Sequence, residues 1–139
     1  MDMLGKALHV GISVYNMEQS LQWYKQVLGF RLIKDDGYIP LLHARVCFLG
    51  RDEFQIELFQ YDNPVELPKE RLEPNTDLQT VGTKHVAFGV RNMNAVKETL
   101  LAEKVDIAHE VKMGADHVLF IRDCNGVLIE LIEESRGDE

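Results

Sequence analysis

The chain has 139 residues, enough for one domain with a real core, and 45% of them are hydrophobic against 27% charged, a balance usual for soluble globular proteins. No apolar run is long enough to span a bilayer, so no membrane partner is expected. The net charge of −8 argues against nucleic acid, which needs a basic surface, and means that an anionic substrate would need a local cation. The opening MDMLGKALHV lacks the basic and apolar segments of an export signal, so a cytoplasmic protein with Cys47 and Cys124 reduced is expected.

In chain order, KALHVGISV (6–14) reads as a strand. Strand side chains alternate, so Val10, Ile12 and Val14 share the packed face while His9, Gly11 and Ser13 share the other. Tyr15-Asn16-Met17 leads into a helix with Leu21, Tyr24, Val27 and Leu28 at helical spacing and Gly29 at its C-terminal end. Three strands are predicted next, Phe30–Lys34, Leu42–Leu49 and Glu53–Gln60, divided by Asp36-Gly37 and Gly50-Arg51-Asp52. Tyr61–Thr83, with Pro64, Pro68 and Pro74, reads as a long connection.

Then the pattern starts again. GTKHVAFGV (82–90) sets His85 beside Ala87 and Gly89, and Arg91-Asn92-Met93 leads into a helix marked by Met93, Val96, Leu100 and Leu101. Strands are predicted at Val105–Lys112, His117–Arg122 and Val127–Glu133, with Gly114 breaking the first pair and Asn125-Gly126 as a two-residue hairpin turn. Each half is β-α-β-β-β. The expectation is an α+β single domain, 1–139, built from module one (6–60), a linker (61–83) and module two (84–134). Its two modules would form a curved, half-open sheet around a central cleft.

The closing strands also match: Gln55-Ile56-Glu57-Leu58-Phe59 parallels Leu128-Ile129-Glu130-Leu131-Ile132. Each module therefore opens on a histidine and closes on a glutamate that points away from its Ile and Leu neighbours. Two carboxylates in one cleft repel, and a divalent cation removes that conflict. Imidazole and carboxylate together suit several first-row ions. The plainer alternative is four polar residues on the wet face of a sheet, but the same types recur at the same repeat positions, flanked by small residues.

The stretches HVGISVYNMEQSLQWYKQVLGFRL, FQIELFQ, GTKHVAFGV and FIRDCNGVLIELIE resemble the vicinal oxygen chelate superfamily over nearly the whole chain. That superfamily includes glyoxalase I, methylmalonyl-CoA epimerase, extradiol dioxygenases and the bleomycin and fosfomycin resistance proteins. The resemblance implies paired βαβββ modules and metal ligands at His9, Glu57, His85 and Glu130. A His, Glu, His, Glu set is the glyoxalase I pattern, and methylmalonyl-CoA epimerases are similar, with Gln or Glu at the second position. Extradiol dioxygenases use only the positions of His9, His85 and Glu130. The arginines and asparagine that hold glutathione in typical glyoxalase I have no clear counterpart here.

The resemblance thus implies a metal-dependent lyase or isomerase of glyoxalase I type, acting on a small molecule, with Ni, Co, Zn or Mn bound. In it Glu130 or Glu57 moves a proton next to a chelated carbonyl. An epimerase is the nearest alternative; an iron-dependent dioxygenase and a non-catalytic binding protein are the others. A homodimer is expected, because family members commonly dimerise. In LLHARVCFL, His43 is the candidate auxiliary acid or base, with Arg45 facing the same cavity; Arg45, Arg91 and Arg122 are candidate contacts for an anionic group.

Overall fold

The computed structural model describes residues 2–134. The chain divides into two compact units, Met1–Val65 and Glu66–Glu139. The first runs β1 (Val10–Ser13), α1 (Met17–Leu28), β2 (Arg31–Ile39), a 3-10 turn (Pro40–Leu42), β3 (Ala44–Arg51) and β4 (Phe54–Tyr61). Its sheet has the order β1-β4-β3-β2, with β1 parallel to β4 and the other pairings antiparallel. The second unit begins with two short helical turns, Lys69–Arg71 and α2 (Pro74–Asp77). It continues through β5 (Val86–Val90), α3 (Met93–Ala102), β6 (Asp106–Met113), β7 (Asp116–Arg122) and β8 (Leu128–Glu133). Its sheet, β5-β8-β7-β6, repeats the same directions. The protein is α+β, with two βαβββ modules, as the repeated sequence pattern predicts.

The two longer helices, α1 and α3, start in the same way. Asn16 and Asn92 cap the two helices, their side-chain oxygens accepting the N–H of Gln19 (2.9 Å) and Ala95 (3.1 Å). The methionine after each cap, Met17 or Met93, is fully buried. A side chain from the closing strand takes its N–H: Gln60 accepts from Met17 at 2.5 Å and Glu133 from Met93 at 2.7 Å. In the first unit Tyr24, Phe30, Cys47, Leu49, Ile56 and Leu58 fill the core on the side where α1 lies against the sheet. Leu100, Leu119, Ile121, Ile129 and Leu131 do so in the second. Each such aliphatic side chain contributes about 1.5–3 kcal/mol relative to exposure.

Three local expectations change. The strand predicted at Phe30–Lys34 continues to Ile39, because register shifts near Ile33 and Asp36 absorb the Asp36-Gly37 break as bulges. Gly37 supplies left-handed backbone there (φ 67°), and its N–H binds Asp35 Oδ1 at 2.9 Å. The strand predicted from Leu42 begins at Ala44, since Pro40 starts a 3-10 turn that runs through Leu42. Asn125-Gly126 lies in a longer loop: Asp123 binds Val127 O through its N–H, and its carboxylate accepts the N–H groups of Asn125 and Val127.

Candidate metal centre

β1 and β4 are the two strands that place the first pair. Their parallel register sets Gly11 opposite Glu57, with Ile56 and Leu58 turned into the core. His9 sits one residue before β1, and its Nε2 stands 3.1 Å from Glu57 Oε1. The second unit repeats the arrangement. Ala87 is opposite Glu130, and His85, one residue before β5, places Nε2 3.1 Å from Glu130 Oε1. The four side chains keep between 20% and 33% of their surface exposed, so all of them are open to a ligand.

A phenylalanine backs each pair, and sequence reasoning passed over both. Phe48 pairs across the sheet with Glu57, and Phe120 with Glu130. The His9 ring meets Phe48 edge-on at 5.2 Å between centroids, and His85 meets Phe120 at 5.1 Å. The signal was available: Val46-Cys47-Phe48 and Val118-Leu119-Phe120 are another repeated stretch at matching strand positions. These rings fix the plane of each imidazole from one side. The small residues beside the histidines also have occupants. A side-chain carbon at Gly11 would lie 3.1 Å from the Phe59 ring, and one at Gly89 would overlap the Glu134 carboxylate.

Two donors bound to one first-row ion at about 2.1 Å and at right angles lie about 3.0 Å apart. The 3.1 Å separation in each pair fits that spacing, and one nitrogen with one oxygen is a suitable donor set for a divalent ion. Within each unit the donors stop at two: among the described residues no group of three or more His, Cys, Asp or Glu forms a metal cluster.

His43 and the arginines differ from expectation. His43 lies outside β3, as the left-handed residue (φ 54°) that ends the 3-10 turn. Its side chain is 64% exposed, with Nδ1 3.8 Å from Asp62. Ala44, the next residue, is four positions from Phe48, about 13 Å along the strand. The structure therefore does not bring His43 to the His9–Glu57 pair. Arg45 lies on the helix side of β3, with Cys47 and Leu49, where it binds Glu18 at 2.5 Å and Asp35 at 2.8 Å. Arg122 does share a face with Phe120, but its guanidinium is occupied. It binds Leu72 O (2.8 Å), Asp106 (3.0 Å) and Glu73 (2.7 Å), and so holds residues 72 and 73 to the second sheet. Arg91 is exposed in the turn before α3.

The remaining perturbed groups lie on the helix side. Arg45 holds the Asp35 carboxyl down to about 2, helped by the Gly37 N–H and the Cys47 thiol. Burial, then the bond to Asp35, pushes the Cys47 thiol up to about 11, so it stays protonated and inert at neutral pH. No helix among the described residues is long and apolar enough to cross a membrane.

With this geometry in hand, the chain can be set beside known proteins. The family model described as Glyoxalase/Bleomycin resistance protein/Dioxygenase superfamily matches residues 6–131. The mitochondrial methylmalonyl-CoA epimerase of Homo sapiens is 31% identical over 136 residues, covering 92% of this chain and 73% of the relative. The lactoylglutathione lyase of Haemophilus influenzae is 29% identical over 133 residues, covering 91% and 90%. Among solved structures, a glyoxalase family protein from Enterococcus faecalis superposes with a TM-score of 0.77 at 21% identity, over 92% of this chain and 97% of that one.

Proposed function

Because the chain belongs to the Glyoxalase/Bleomycin resistance protein/Dioxygenase superfamily, we propose that it is a divalent-metal-dependent lyase or isomerase of glyoxalase I type. One observation carries this: two His–Glu pairs, built on equivalent strands, with the same 3.1 Å separation. In this proposal His9, Glu57, His85 and Glu130 are ligands of Ni, Co, Zn or Mn. When bound, the ion supplies Lewis acidity that makes the carbon beside a chelated carbonyl acidic.

The rest is the work of the chain's own residues. His9 and His85 are fixed by Phe48 and Phe120 and keep their nitrogens in place. Glu130 or Glu57 takes the proton from the substrate carbon as general base and returns it as general acid. Return to the neighbouring carbon gives the glyoxalase outcome; delivery of a proton to the same carbon from the opposite face, by the other glutamate, gives an epimerase. The epimerase is the second reading, favoured by the 31% identity to the human enzyme. The substrate is a small molecule, and the working form is a homodimer, which light scattering would measure.

The test is metal content. Protein purified without chelators should carry about one Ni, Co, Mn or Zn per chain by mass spectrometry, and His85→Ala should lose it. Such protein should then turn over a hemithioacetal or an acyl-CoA thioester. Iron alone, with oxygen uptake, would assign a dioxygenase. No metal after reconstitution with each ion would leave a non-catalytic binding protein.

A further inference from the structure

The sheet of the first unit carries one more group in line with the His9–Glu57 pair. Cross-strand register runs from Gly11 to Glu57, from Glu57 to Phe48, and from Phe48 to Lys34. Residues directly opposite each other share a face, so Lys34 lies on the side that His9 and Glu57 occupy. Its side chain goes there: Nζ sits over the Phe48 ring at 5.7 Å from the centroid. That is the ring the His9 imidazole meets at 5.2 Å. The ammonium and the imidazole therefore touch one phenyl group, and are no farther apart than those two distances together.

We infer that Lys34 is a specificity-determining residue that binds a carboxylate or similar oxyanion on the substrate, a few bonds beyond the oxygens that face His9 and Glu57. The inference rests on the metal-dependent function proposed above and narrows its substrate class to molecules with a second, anionic group. Three observations support it. The chain carries a net charge of −8, so an anion gains from a fixed cation close to the reacting end. The other cations of this sheet are directed elsewhere or stand farther along the same face. Arg45 is spent on Glu18 and Asp35 across the sheet, and Arg51 donates to Leu28 O; Arg31, opposite Gly50, stands farther along β2. Finally, Lys34 is available. Its pair with Asp36 is 3.3 Å long and its side chain 64% exposed, and such surface pairs exchange partners at little cost.

The second unit has no equivalent ammonium. His109 stands opposite Phe120 where Lys34 stands opposite Phe48, which makes the anion site a property of module one.

The experiment uses Mn(II)-reconstituted wild-type, Lys34→Met and Lys34→Arg proteins, with metal content measured on each. Calorimetric titrations compare α-ketobutyrate, which offers two chelating oxygens, with α-ketoglutarate, which adds a second carboxylate. Wild type and Lys34→Arg should prefer α-ketoglutarate by about fivefold or more, and Lys34→Met should bind both about equally. Metal content should not change. A preference that survives Lys34→Met, or none in the wild type, overturns the inference and leaves the metal proposal standing. Failure of all three proteins to hold Mn(II) overturns the metal proposal, and the inference with it.

Discussion

Behind the sheets, the two modules solve one problem with different residues. In module one Arg45 joins Asp35 and Glu18, while Gln60 accepts the N–H that opens α1. In module two His117 occupies the matching position, 2.7 Å from Glu110 and 3.9 Å from Glu133, and Glu133 accepts the N–H that opens α3. A neutral amide has become a carboxylate and a guanidinium has become an imidazole, yet the hydrogen bond to each helix start is kept. On the opposite face Lys34 gives way to His109, but His, Glu and Phe recur at the same register and spacing. A helix start accepts any acceptor of the right reach, whereas a metal-donor pair has few substitutes. The difference supports the metal site proposed on the His–Glu face.

The comparison breaks most sharply at the carboxylates. Glu57→Ala and Glu130→Ala should each weaken metal affinity at least about 100-fold, as loss of a direct ligand should exceed the loss of its supporting partner. Titration with a metal-competing dye measures both. An unchanged affinity in Glu57→Ala, with loss only in Glu130→Ala, would make the pairs unequal and favour the dioxygenase pattern.

The helix C-termini give a smaller contrast. Gly29 ends α1 at φ 75°, and an added Cβ would lie 2.5 Å from the Arg51 guanidinium; Lys104 follows α3 at φ 58° with a full side chain. Gly29→Ala should destabilise by about 1–2 kcal/mol, and Lys104→Gly should be neutral to stabilising, within about 1 kcal/mol. Urea unfolding of both variants measures this. Equal losses would show that the strain at Lys104 is met by contacts of its own.

The smallest effect is expected in acid. Asp35 has a folded-state pKa of about 2 against an ordinary 3.8, so its contribution is full above about pH 4 and fades as pH falls toward 2. Glu110 in module two is also held below the usual range, by Lys97 first and His117 second, and its contribution fades in the same direction. Arg45→Met should therefore flatten the loss of stability between about pH 4 and 2, by no more than about 1 kcal/mol because the pair is exposed. Urea midpoints across that range are the measurement; an unchanged slope would show that Arg45 does not tie Asp35 in solution.

Repetition made the fold legible. One strand written twice, His-Val-x-x-x-Val, with Asn-Met after it both times, fixed two modules and the pairing of His9 with Glu57 and of His85 with Glu130. Alternation along single strands could give the facing of those four side chains because the opposite face is plainly apolar. It could not give His43, since Pro40 starts a turn that only the backbone reveals, nor Arg45, whose strand carries apolar residues on both faces. Lys34 was hidden for another reason: the bulges near Ile33 and Asp36 reset which residues of β2 share a side. Phe48 and Phe120 were readable from a second repeated stretch, but they resemble ordinary core residues until the imidazoles are seen against them.

The parallel pairing of each first strand with its last has a consequence for how the protein is made. His9 and Glu57 are far apart in the chain, and β2, β3 and the turns between them lie between the two strands that bring them together. Contacts of such long separation come late in folding and set its pace. A slip of one residue along β4 would turn Ile56 toward the histidine and bury Glu57. The His–Glu contact is therefore a completion mark for each module: module one can reach it during synthesis, before the strands of module two exist, and the second mark follows only when Glu130 has been added.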